Sequence, residues 1–104
     1  MERYLKIPVE GKPVMIEVDE NHLLDEFRRH LDCEGIETVR ITSRFGLIVD
    51  EEGKIKDPPK PYNARATSLF GDFSPDWIAG DAILFAYGTR NGEPDIVPAE
   101  GLFA

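Results

Sequence analysis

The run Ala82-Ile83-Leu84-Phe85-Ala86-Tyr87 constrains the fold more than any other stretch. It is apolar without clean alternation, which reads as a central strand covered on both faces. The rest of the chain must therefore supply two apolar layers. At 104 residues it has the length of one domain with a real core.

One clear helix is expected over Glu20 to Leu31, with Asp19 as its N-cap and Gly35 as its C-terminal stop. Leu23, Leu24, Phe27 and Leu31 share one face, and Asp25, Glu26, Arg28 and Arg29 lie largely on the other. Before it, Tyr4 to Val9 and Val14 to Val18 flank Glu10-Gly11-Lys12-Pro13 and read as a hairpin. Pro8 and Pro13 remove ladder donors and place at least one of these strands at a sheet edge. After the helix, Glu37 to Ile41 and Gly46 to Val49 read as strands, and Lys54-Ile55-Lys56 as a short strand returning from the acidic turn Asp50 to Gly53. Asp57-Pro58-Pro59-Lys60-Pro61 stiffens the chain ahead of a short helix, Ala64 to Phe70, capped by Asn63 and ended by Gly71. Arg90 to Pro94 reads as a turn. The expected fold class is α+β, an antiparallel or mixed sheet of about five strands on one main helix. Residues 1–88 are assigned to the domain and 89–104 to a C-terminal tail that docks through Ile96, Val97, Leu102 and Phe103 or stays partly mobile.

At Pro61-Tyr62-Asn63-Ala64-Arg65-Ala66-Thr67, and again at Gly80-Asp81 before the apolar strand, the chain resembles a family of small bacterial and bacteriophage proteins known only as a domain of unknown function. Val49 to Gly53 and the opening Tyr4-Leu5-Lys6-Ile7 fit the same pattern. The resemblance implies an α+β fold and frequent carriage by phages and mobile elements. It implies no activity and no catalytic residues.

The formal net charge of −8 argues against direct nucleic-acid binding, which needs cations to neutralise phosphates. No run is long enough to cross a bilayer, and Met1-Glu2-Arg3 leads straight into strand-like sequence, so a cytoplasmic location is the expectation, in the host cytoplasm if phage-encoded. The single cysteine, Cys33, excludes an internal disulfide and reads as a buried or idle thiol. Two histidines and one cysteine at unrelated spacings draw no triad. His22 and His30 lack helical metal spacing, and the scattered glycines make no phosphate loop. No catalytic residue, metal or cofactor is assigned.

A local basic island stands out against the acidic background: Lys54, Lys56, Lys60 and Arg65. Within it Lys60, Tyr62, Asn63, Arg65 and Thr67 gather two cations, a ring, an amide and a hydroxyl near a helix start, a set that suits a phosphorylated or nucleotide-like ligand. Each also has a plain structural use, as cap, packing ring or exposed charge. Phe73 and Trp77 are candidate partner contacts. Three functions are weighed. The leading one is a non-catalytic phage or mobile-element accessory protein that acts by binding a host protein, with inhibition of a host defence protein as the specific form considered. The second is capture of a small anionic ligand at Asn63 to Thr67. The third is a small enzyme using loop carboxylates (Asp72, Asp76, Asp81) with Arg65. A homo-oligomer is compatible with the sequence, because a strand edge and the apolar tail could each support an interface.

Overall fold

In the computed structural model, residues 1–71 and 76–99 are described. Chain order runs β1 (Glu2–Ile7), β2 (Val14–Val18), a 3-10 turn (Glu20–His22), α1 (Leu23–Leu31), β3 (Ile36–Arg40), β4 (Phe45–Asp50), α2 (Ala64–Thr67) continued by a 3-10 turn (Ser68–Phe70), β5 (Ala82–Arg90) and β6 (Glu93–Val97). All strands join one six-stranded sheet of order β2-β1-β5-β4-β3, with β6 also paired to β5. Every pairing is antiparallel. The α+β class stands, with one main helix and one strand more than the five expected.

β5 is central because its side chains feed two cores. Ile83 and Phe85 point to the α1 face, where they meet Tyr4, Ile16, Val18 and Ile48 beneath Phe27 and Leu31. Tyr4 and Phe27 contact edge to face at 5.1 Å, a favoured aromatic geometry. Ala82 and Leu84 point the other way, with Ile7, Leu47 and Val49, beneath Ala66 of α2 and Ile78. Alternation thus persists along β5, but both phases are apolar because both faces are covered. Its first residues pair with β1, Leu5 opposite Leu84, and its second half pairs with β6, Ala86 opposite Val97. Arg90 ties the two partners together: its guanidinium donates to both Glu2 carboxylate oxygens and to the Ile96 carbonyl.

The main helix starts and stops differently from expectation. Asp19 caps the 3-10 turn, its carboxylate accepting from the Asn21 N–H at 2.9 Å, and regular α-helix begins only at Leu23. Phe27 and Leu31 are buried four residues apart, whereas Leu24 lies off that stripe and is 52% exposed. The stop is Asp32 rather than Gly35. Asp32 adopts φ +50°, and its N–H bonds the Arg29 carbonyl while the Cys33 N–H bonds that of Arg28. That pair of bonds is a Schellman closure, with aspartate in the left-handed position glycine usually takes.

Two strand assignments change. Lys54-Ile55-Lys56 is not a strand: Gly53, Ile55 and Lys56 N–H groups bond back to Asp50 and Glu52 carbonyls, coiling the segment into successive turns. Ile55 is left 79% exposed, and the lysines on either side of it reach to the carboxylates of Asp76 and Asp50, so the alternation there marks no buried strand face. The sixth strand comes from the segment after Gly88. Asn91 and Gly92 both take positive φ, the two-residue hairpin turn that returns β6 along β5. Ile96 then packs on the α1-face core. Pro94 is tolerated because β6 is a border strand. Leu102 and Phe103 lie outside the described residues.

Candidate functional site

The proline-rich loop and the approach to β5 run side by side as a short extended pair. The Gly80 N–H bonds the Pro61 carbonyl at 2.7 Å and the Asn63 N–H bonds the Ile78 carbonyl at 2.8 Å, with Tyr62 facing Ala79 between them. Gly80 has φ +81°, and a Cβ there would lie 2.7 Å from the Lys60 side chain, so turn and close approach both require glycine.

Asn63 locks this pair. It is fully buried, and its amide is completely used. The oxygen accepts from the Ala66 N–H at 2.9 Å, the expected N-cap, and the nitrogen donates to the carbonyls of Ile7 at 2.9 Å and Gly80 at 3.0 Å. One side chain therefore joins the start of α2, the end of β1 and the turn into β5. Thr67 is spent similarly, its hydroxyl accepting from the Ile78 N–H at 2.9 Å.

Lys60 reaches under the loop to the C-terminal end of α1. Its ammonium donates to the Leu31 carbonyl at 2.8 Å and pairs with Asp50 at 3.1 Å. Lys56 closes on the same carboxylate. Asp50 is buried at the end of β4. Burial pushes its carboxyl up, but bonds from Lys56, the Glu52 N–H and Lys60 outweigh that and hold it below the usual carboxylate range. In the sequence Asp50 stands only as the first residue of an acidic turn. Its role as the counter-ion of two lysines depends on where the loop folds. Cys33 lies close by, half-buried, with its thiol pushed up by burial and then by Asp50.

The basic island is thus largely neutralised from within. Lys54 pairs with Asp76 at 2.7 Å, and its ammonium sits 4.8 Å from the Trp77 ring centroid. The lysine and the Trp77 N–H together hold the Asp76 carboxyl below its ordinary value. Arg65 is exposed on α2. Of the loop carboxylates, Asp81 accepts from the Val9 N–H at 2.9 Å and faces Lys6 at 3.6 Å, so it too has a structural engagement. Asp72 and the candidate contact Phe73 lie outside the described residues.

What faces solvent is aromatic. Tyr62 is 55% exposed and Trp77 37% exposed, and their rings lie 6.0 Å apart with a 40° tilt. Trp77 also borders a crevice of about 60 Å³ lined by Val39 and Glu37 of β3, Val49 of β4, and Ile78. Of the expected ligand cluster, the structure brings Tyr62 to the surface beside Trp77 and Lys54, leaves Arg65 exposed, and turns Lys60, Asn63 and Thr67 to internal bonds.

These features define a small α+β protein with a doubly covered antiparallel sheet and a rigid loop pair that carries an exposed aromatic surface. The chain belongs to the family described as Domain of unknown function (DUF3846), whose model matches residues 1–100. No curated protein and no solved structure matches it. No helix among the described residues is long and apolar enough to cross a membrane.

Proposed function

We propose that this protein acts by binding another protein without catalysis, and that Tyr62 and Trp77 form the centre of its contact surface. The reading fits an accessory factor of phages or mobile elements that occupies, and thereby inhibits, a host protein. The observation that carries it is the exposed ring pair, held at 6.0 Å on a loop pair fixed by Asn63 and backed by Lys54 and Asp76. Aromatic anchors on a pre-ordered backbone lose little freedom on binding, which is why such residues dominate protein contacts. The net charge of −8 adds steering toward a basic face. Small-ligand capture draws less support, because Asn63 and Thr67 direct their polar atoms inward.

The test is affinity capture from a bacterial lysate with the wild type, Tyr62→Ala/Trp77→Ala and Arg65→Ala side by side. A stoichiometric protein that is retained by Arg65→Ala and lost by the double variant supports the proposal. Equal capture by all three baits removes the aromatic surface from the contact.

A further inference from the structure

From the geometry of the β3 edge we infer that two copies of this chain pair through it, antiparallel, joining their sheets into one. β3 ends the strand order, so among the described residues one side of its backbone has no strand beside it. Which residues face that side follows from the hydrogen bonds at its two ends. The Ile41 N–H bonds the Phe45 carbonyl, and the Glu51 N–H bonds the Gly35 carbonyl. Both bonds fall on the β3–β4 register, in which Thr38 lies opposite Ile48. Bonding alternates along an antiparallel ladder. Residues 35, 37, 39 and 41 therefore turn their backbone groups toward β4, and Ile36, Thr38 and Arg40 turn theirs outward. Among the described residues, those outward groups make no backbone bond.

A two-fold axis at Thr38 places Thr38 opposite Thr38 of the second copy, and Ile36 opposite Arg40 of the second copy. All the outward groups of Ile36, Thr38 and Arg40 are satisfied in that one register. Charge selects the second copy as the occupant. Exposed Glu34 and Glu37 mark the N-terminal end of the edge, and exposed Arg40 and Arg44 the C-terminal end. Antiparallel pairing sets each acidic end against a basic one, with Arg40 of one copy diagonal to Glu34 of the other. Arg40 already lies over the Tyr87 ring at 4.1 Å and donates from Nη1 to the Thr42 carbonyl at 3.4 Å, a stacking that leaves the other N–H groups of its rim to meet a carboxylate. The edge is short and its flanks charged, so the association is weak, with a dissociation constant on the order of 100 µM.

Sedimentation velocity from ~10 µM to ~1 mM tests this, with a concentration-dependent dimer expected for the wild type. Thr38→Pro removes an outward N–H without breaking the β3–β4 ladder. It should remain monomeric across the series while melting cooperatively. Arg40→Glu and Glu34→Lys should each weaken association, and mixing the two should restore it, because each then offers the other an opposite charge. That rescue decides the matter if Thr38→Pro does not fold. A wild type monomeric at ~1 mM overturns the inference. So does a dimer unchanged in Thr38→Pro, which would place association elsewhere, at the β2 edge for example, or a mixture that fails to recover.

Discussion

Replacing Asn63 with alanine should unsettle the whole molecule, because this one buried amide closes bonds to three separate segments. Loss of the cap to the Ala66 N–H costs about 1 kcal/mol. The carbonyls of Ile7 and Gly80 lose their donor at the same time, at about 1 kcal/mol or more each if water does not replace it. The sum is about 3 kcal/mol, against a total stability of about 5–15 kcal/mol for a domain of this size. Urea unfolding followed through the single Trp77, with circular dichroism as a second probe, should show the midpoint falling while the transition stays cooperative. Asn63→Asp is the sharper control. It keeps the cap acceptor but sets a carboxylate against two carbonyl oxygens, so at neutral pH it should cost at least as much as alanine. Its folded pKa should be raised above the unfolded value, so this deficit shrinks as pH falls through the folded pKa, when the protonated acid again donates. A loss below 1 kcal/mol in Asn63→Ala, or an Asn63→Asp variant as stable as wild type at pH 7, would refute this account of the site.

Three further outcomes follow from the same geometry. The Asp50 carboxyl lies below its unfolded value of ~3.9, so its stabilising contribution is present above that pH and is lost as pH falls through the folded pKa. Asp50→Asn should therefore cost about 3 kcal/mol at pH 7, with the gap to wild type closing as pH falls through the folded pKa in paired urea titrations. Asp32→Gly relieves a left-handed aspartate at φ +50° and should raise stability by about 0.5 kcal/mol, read as an increase in Tm without change in helix content. Gly46→Ala should cost about 2 kcal/mol or more by the same urea assay, because a Cβ there would lie 2.5 Å from the Val39 carbonyl and against the Phe85 ring.

The sequence made some of this legible and hid the rest for definable reasons. Ala82 to Tyr87 announced a central strand because covering both faces leaves no polar phase to interrupt it. Asn63 announced a cap because the short helix after it needs an acceptor at its first turn. Lys54-Ile55-Lys56 misled because alternation records only that neighbours differ. Its lysines turn to Asp50 and Asp76, partners far apart in sequence from one another. Asn91-Gly92 carried a hairpin signal, but Pro94 and the sparse apolar content after it masked β6, whose stability rests on packing Ile96 against a distant core. At the candidate site, polar residues grouped in sequence suggested a ligand. Folding sends their side chains in different directions: Asn63 into the loop pair, Thr67 to Ile78, Lys60 to the end of α1, and only Tyr62 and Arg65 outward.

The central claim is that the exposed Tyr62–Trp77 surface holds a protein partner, and native mass spectrometry of gently purified protein tests it most directly. The expected result is an adduct whose mass is that of a different protein, not of a second copy of this chain, that disappears on denaturation and is absent from Tyr62→Ala/Trp77→Ala. A small phosphorylated adduct lost from Arg65→Ala, or an adduct of a different protein that survives in the double variant, would contradict it.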